Sequence, residues 1–285
     1  MRSDVTEILR YAAFTALPEG GNPAGVVLDA GDLDAAAMQA IAAEVNYSET
    51  AFLLPGADAR DRPVRYYSPL AEVPFCGHAT IAAAVAYAER HGPGRLALHT
   101  RSGRVLVDTA AEDGRIVATL VSVAPRVDPV ADADVVEALA ALGWTADDLD
   151  AALPPRVAFA GAAHLVLAAA ARARLARLDY DFDRLGALMA ARDWTTVQLV
   201  HRSGPATFDA RNLFPPGGVY EDPATGAAAA AFGAYLAEIG TIDPPTRITI
   251  TQGVDMGRPS TLVVDVPARL ADGIRVSGSA VPIAL

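Results

Sequence analysis

Tyr66-Tyr67-Ser68-Pro69-Leu70-Ala71-Glu72-Val73-Pro74-Phe75-Cys76-Gly77-His78-Ala79-Thr80, followed by an alanine-rich run to Ala88, is the stretch on which the fold turns. It opens on β-favouring tyrosines, bends at two prolines and passes into a helix that begins at Gly77, His78 and Ala79. The first turn of such a helix holds backbone N–H groups with no partner inside the helix, together with the positive end of its dipole. An anion can bind there: glycine lets a ligand reach the backbone, and His78 adds a side chain that changes charge near neutral pH. A helix that merely starts on a small residue would look the same in isolation.

The rest of the chain is arranged around this stretch. Residues 5–14 suit a first strand, Gly20-Gly21-Asn22-Pro23 a turn, and residues 24–28 an apolar second strand. Asp32 is placed to cap a helix over 33–45, and Asn46-Tyr47-Ser48-Glu49-Thr50 leads into a strand at 51–54, with Glu49 just before it. After the strand 64–67 and a helix ending near Arg90 comes a meander at 96–100, 104–109 and 115–121, turning at Ser102-Gly103 and Asp113-Gly114.

Beyond Pro125 the same order of elements returns. Residues 163–167 answer 24–28, the helix 182–191 answers 33–45, 197–200 answers 51–54, and 207–210 answers the strand at Tyr66. Asp222-Pro223-Ala224-Thr225-Gly226-Ala227 then opens a second alanine-rich helix ending near Gly240, and 247–251, 260–266 and 273–276 repeat the meander. A helix that is apolar and narrow on every face suits the middle of a wrapped sheet. The expected fold is therefore α+β, two similar lobes with a cleft between them, each an antiparallel sheet or barrel wrapped around a central helix (79–90 and 227–238). Residues 1–122 form the lobe carrying Glu49 and the Cys76-Gly77-His78 helix start. Residues 123–285 form the lobe carrying the Asp222-Pro223-Ala224-Thr225-Gly226 start, with the last strand free to cross back to the first.

Composition removes several functions. All 23 basic residues are arginine, so no lysine is present for a Schiff base or a Walker-type phosphate loop. The net charge of −11 and the lack of a basic cluster speak against nucleic acid. No apolar run reaches the roughly 18 residues needed to span a bilayer, the N-terminus lacks the apolar centre of a signal peptide, and a single cysteine fits a reducing compartment. A cytoplasmic protein acting on a small molecule is expected. The five histidines show none of the short spacings of zinc motifs, and no Gly-x-Gly-x-x-Gly turn is present, so no metal and no cofactor are expected.

Two helix starts facing one cleft would suit a small carboxylic acid, and the titratable groups expected nearest them are Glu49, Cys76, His78 and Asp222. Asp222 also has the ordinary reading of a helix cap. Glu49 is different, because aligning Ala51 with Val197 sets it opposite Thr195, so that the acid occurs in one half only. A single acid beside a repeated site is what one proton shuttle would require, the alternative being a solvated loop glutamate.

Together the motifs resemble the PhzF-like phenazine-biosynthesis family, isomerases that share the diaminopimelate-epimerase fold. The resemblance runs over nearly the whole chain. It is carried by Ala13-Phe14-Thr15 with Gly21-Asn22-Pro23-Ala24, Ser48-Glu49-Thr50-Ala51-Phe52, Pro74-Phe75-Cys76-Gly77-His78-Ala79-Thr80, Arg211-Asn212-Leu213-Phe214-Pro215, Glu221-Asp222-Pro223-Ala224-Thr225-Gly226, and Gln252-Gly253 with Gly257-Arg258-Pro259-Ser260. It implies that Glu49 is the acid/base, that His78 and Asp222 assist and position substrate, that the reaction is a cofactor-free allylic proton shift in a dihydro-hydroxyanthranilate-type acid, and that the protein is a homodimer. Asn22, Cys76, Gly77, Ala79, Gly226 and Ala227 are the candidate substrate-binding positions. Ala227 departs from the family, which often has serine there.

The related epimerases use two opposed cysteines, whereas this chain has Cys76 alone. A two-thiol racemase is excluded, while a racemase or epimerase pairing Cys76 with Asp222 or Glu49 stays open. A non-catalytic small-acid binding protein is the third reading, and it would have no use for Glu49. A Ser48, His78, Asp222 hydrolase lacks the Gly-x-Ser-x-Gly elbow.

Overall fold

Two helices that bury most of the side chains they carry organise the architecture. In the computed structural model, which describes residues 6–284, the chain divides into two compact units, Met1–Val121 with Ser277–Leu285, and Ser122–Val276. The expected start of the first strand at Val5 lies outside the described residues.

The first unit contains β1 (Leu9–Ala13), β2 (Asn22–Val27), α1 (Ala35–Val45), β3 (Glu49–Leu53), β4 (Asp61–Tyr67), β5 (Glu72–Val73), α2 (Gly77–His91), β6 (Gly94–Thr100), β7 (Gly103–Glu112) and β8 (Arg115–Val121). The second contains β9 (Arg126–Pro129), α3 (Asp132–Leu142), β10 (Arg156–Phe159), β11 (Ala163–Ala168), α4 (Arg172–Ala176), α5 (Phe182–Arg192), β12 (Thr196–Arg202), β13 (Thr207–Phe214), β14 (Val219–Asp222), α6 (Gly226–Glu238), β15 (Thr246–Gln252) and β16 (Ser260–Val266). The last strand, β17 (Arg275–Pro282), lies mostly in the first unit, where it pairs with β1 and β8.

Pairing is mainly antiparallel, and each unit also has two parallel pairs: β2 with β3 and β4 with β6, then β11 with β12 and β13 with β15. Parallel neighbours need a long crossover, and this is what the helices supply. α1 joins β2 to β3, α2 joins β4 to β6, α5 lies between β11 and β12, and α6 joins β13 to β15. In the first unit the pairs β8–β17–β1–β2–β3–β4–β6–β7–β8 close into a barrel with α2 packed against β1, β2, β3, β7 and β8. In the second, β9–β10–β11–β12–β13–β15–β16 wraps around α6, which packs on β9, β10, β11 and β16.

Small side chains explain how a helix fits inside a sheet. From His78 to Ala88 every residue of α2 is buried, as is every residue of α6 from Ala228 to Leu236. Gly233 sits where a methyl group would lie 2.9 Å from Val264 and 3.0 Å from Val266 of β16. No helix among the described residues is long and apolar enough to cross a membrane.

Two local expectations are corrected. The cap of α1 is Asp34, whose Oδ1 accepts from the Ala37 N–H at 2.8 Å, so the helix starts two residues later than a cap at Asp32 would give. Between Pro125 and Ala163, where the sequence suggested no regular element, lie β9, α3 and β10. α3 buries Ala138, Leu139, Ala141 and Leu142 in an apolar cluster with Trp144, Leu185, Met189 and Trp194.

Candidate functional site

In the first unit, strand pairing and the turn before α2 bring three of the sequence-predicted groups together. Glu49 is the first residue of β3, opposite Ala24 of β2, and its side chain is 17% exposed. Cys76 is the N-cap of α2 in an extended conformation, and no side chain caps the helix there. His78, in the first turn, is buried. The Cys76 thiol donates to Glu49 Oε2 at 3.4 Å, and His78 Nε2 lies 3.4 Å from the same oxygen. His78 Nδ1 is 3.3 Å from Cys76 Sγ, and Ser48 Oγ is 3.3 Å from His78 Nε2. One carboxylate oxygen thus meets both a thiol and an imidazole.

The helix start is held from behind. Thr80 Oγ1 donates to the Cys76 carbonyl and accepts from the Tyr66 phenol, both at 2.6 Å, and burial raises the Tyr66 pKa so that the phenol keeps its proton. The first helical bond runs from Thr80 N–H to Cys76 C=O, which leaves the N–H groups of Gly77, His78 and Ala79 outside the helical ladder. Apart from its own chain neighbours and helix backbone, no atom of the described residues lies within 4 Å of where a Gly77 Cβ would stand, which leaves room there for a ligand. The Ala79 methyl faces the core, and only its N–H can serve a ligand. Asn22 is buried at the head of β2, opposite Ala13.

Glu49, Cys76 and His78 each offer one donor atom within 4.8 Å of the others, a set able to share a metal ion that the histidine spacings did not reveal. The position opposes this use. The positive end of α2 favours an anion there over a cation, and the three groups already bond to one another.

The second unit repeats the helix start with different side chains. α6 begins at Gly226, with Ala227 second and Thr225 as N-cap; the first helical bond is Ala229 N–H to Thr225 C=O. Asp222 ends β14, and its Oδ2 accepts from the Thr225 hydroxyl. Asp222 is therefore tied to the cap residue and is not the cap itself. Gln252 of β15 bridges both residues, donating to the Asp222 carbonyl at 2.7 Å and to Thr225 Oγ1 at 3.1 Å. The sequence reading placed Thr225 at the second helix start but gave neither it nor Gln252 a role there, and it weighed Ser48 only as a hydrolase nucleophile. The signal was their place in the motifs quoted above: Ser48 is adjacent to Glu49, and Thr225 follows Asp222 by three residues.

The register bears on the asymmetry of Glu49. Gly25 lies opposite Thr50 on β2 and β3, and His164 opposite Thr196 on β11 and β12. Thr50 and Thr196 are thus equivalent, and the residues preceding them are Glu49 and Thr195.

The sequence matches the phenazine biosynthesis-like protein family (PhzC-PhzF) over residues 11–284. It is 35% identical to an uncharacterized isomerase of Salmonella typhimurium, YddE, over 96% of this chain and 95% of that one. It is 34% identical to the trans-2,3-dihydro-3-hydroxyanthranilate isomerase of Pseudomonas chlororaphis, over 94% and 92% of the two chains. Among solved structures, a PhzF-family phenazine biosynthesis protein of Bacillus anthracis superposes with a TM-score of 0.86 at 25% identity, covering 97% of this chain and 96% of that one.

Proposed function

Since this chain belongs to the phenazine biosynthesis-like family and is an isomerase, we propose that it shifts a proton between two carbons of a small carboxylic acid, with Glu49 as the acid and base. The observation that carries the reading is the meeting of the Cys76 thiol and the His78 imidazole on Glu49 Oε2 beside the open start of α2. A substrate carboxylate at that helix start would be held by backbone N–H groups and the dipole. Glu49 would then take a proton from an allylic carbon, the electron pair would move along the double bond, and the same carboxyl would return the proton at the far carbon. His78 steadies the carboxylate through both steps, and Asp222 holds a polar group of the substrate. No step asks for a metal, flavin, nicotinamide or pyridoxal group, so dialysis against a chelator should leave turnover unchanged.

The substrate to try first is trans-2,3-dihydro-3-hydroxyanthranilate, on which the Pseudomonas relative acts by name. Turnover in D₂O followed by NMR tests the mechanism: deuterium at a new carbon supports the allylic shift, and label confined to the original stereocentre rejects it. Glu49→Gln keeps the shape and removes the base, and should lower kcat by roughly 10²- to 10⁴-fold with little change in substrate affinity. Full activity in that variant would end the proposal. A second reading is an epimerase using the Cys76 thiol and the Glu49 carboxylate as a pair, in which the two groups, 3.4 Å apart here, would part to reach opposite faces of a stereocentre. It requires Cys76→Ser to be as damaging as Glu49→Gln, whereas the first reading expects a much smaller loss.

A further inference from the structure

A line of polar side chains crosses the buried sheet of the second unit, one from each successive strand, and ends at Asp222. His164 on β11, Thr196 on β12, Asn212 on β13 and Gln252 on β15 are all buried. His164 Nδ1 is 2.7 Å from Thr196 Oγ1, whose hydroxyl donates to Asn212 Oδ1 at 2.8 Å. Asn212 Nδ2 donates to Gln252 Oε1 at 3.3 Å, and Gln252 Nε2 donates to Thr225 Oγ1 at 3.1 Å. The Thr225 hydroxyl then donates to Asp222 Oδ2.

The direction of donation is fixed throughout. Because Thr196 gives its proton to Asn212, His164 must donate from Nδ1. Its Nε2 carries the lone pair and meets no donor among the described residues, so the line begins there. Every link gives a proton toward the carboxylate, and each such bond polarises the next. A second hold confirms the orientation of the Gln252 amide, whose Oε1 accepts from Thr225 N–H at 3.3 Å while Nε2 donates to the Asp222 carbonyl. Were the Gln252 amide turned round, its Nε2 would face the Asn212 and Thr225 N–H donors, and were the Asn212 amide turned round, its Oδ1 would face Gln252 Oε1, at a cost of about 1–3 kcal/mol for each unsatisfied group.

We propose that His164, Thr196, Asn212 and Gln252 are positioning residues for the reaction, acting through Thr225 to hold the Asp222 carboxylate in place as an acceptor for the substrate. This rests on the assignment of Asp222 to the substrate made above. Thr196 is the link at which to test it, since valine has its shape without the hydroxyl and serine keeps the hydroxyl.

With trans-2,3-dihydro-3-hydroxyanthranilate as substrate, Thr196→Val should lower kcat/KM about tenfold and Thr196→Ser less than about twofold. In an Asp222→Asn background, Thr196→Val should have almost no further effect, since the group it acts through is gone. Equal losses in both backgrounds, or no difference between valine and serine, would overturn the proposal. Urea unfolding of Thr196→Val, Asp222→Asn and the double variant gives a readout independent of activity, in which the midpoint shifts should not add; additive shifts also overturn it. If the substrate is not turned over by the wild type, the functional reading fails while the unfolding cycle still decides the line. Should Thr196→Val not fold, His164→Leu against His164→Asn, which retains a donor at the Nδ1 position, makes the same comparison.

Discussion

His164 shows how far one buried group can couple this protein to pH. With no exposed surface, its charged form loses hydration, and burial pushes its pKa down to about 3 from an ordinary 6.5. Below pH 6.5 the unfolded chain therefore takes up a proton that the folded one refuses, so stability falls as pH falls, by about 1.4 kcal/mol per pH unit, until the folded pKa is reached. Between pH 7 and pH 5 the wild type should lose about 2 kcal/mol more than His164→Asn, measured by urea unfolding at the two pH values; equal losses would show that His164 is not the source. Gly77 invites the opposite kind of test. A methyl group there meets nothing within 4 Å, so Gly77→Ala should keep the fold and raise stability by about 0.4–1 kcal/mol, while weakening binding of a carboxylate at the helix start. Tm and substrate KM should therefore both rise. At this scale Cys76 and His78 were legible because they sit at a helix start, and Glu49 because the repeat supplies that acid in one half only. His164, Thr196 and Asn212 were not, because a lone polar residue in an apolar strand looks like any satisfied core group until the neighbouring strands are known.

Helices and strands differ in how plainly the sequence announces them, and the reason is local chemistry. α2 and α6 run one or two residues beyond the expected spans, since alanine-rich runs bounded by glycine and polar turns leave little choice. α3 was missed because its N-cap is Ala131, which offers no side-chain cap, and because its helical face becomes apolar only in the company of α5. The parallel pairings were equally hidden, for register between strands separated by a helix leaves no mark in either strand. Packing of the central helix yields the prediction at this scale. Gly233→Ala would gain about 1 kcal/mol of helix propensity, but its methyl would press on Val264 and Val266, whose branched side chains turn poorly. Overpacking costs about 1–3 kcal/mol, so a net loss of about 1 kcal/mol is expected from urea unfolding. A net gain would mean that α6 stands farther from β16 than the contacts show.

For the molecule as a whole, the closure of the first barrel depends on a strand that is made last. β17 bonds to β1 and β8, and the contacts span almost the full chain: Phe14 N–H donates to Ser279 C=O at 2.7 Å, and Ile283 N–H to Arg10 C=O at 2.8 Å. Ser279 Oγ also donates to the Thr15 carbonyl at 2.9 Å. Until these pairs form, β1 and β8 are open edges and the ring around α2 is incomplete. Contacts of such sequence separation form late, because the long loop must close before they stabilise anything. The sensitive point is Gly278. Phe14 adopts a positive φ of 63°, uncommon for a large side chain, and lays its ring over the position where a Gly278 Cβ would stand, 2.3 Å from its Cδ1. Gly278→Ala would force either the ring or the strand aside, at a cost of about 1–3 kcal/mol, and would do so at the closing seam. Amide hydrogen exchange should therefore speed up most along β1, β8 and β17, with the sheet around α6 much less affected. Ser102→Ala, at a turn between β6 and β7 away from the seam, serves as the control and should leave exchange in β1 and β8 unchanged. If Gly278→Ala instead loosened both units equally, the late strand would be a general support and not the latch of one barrel.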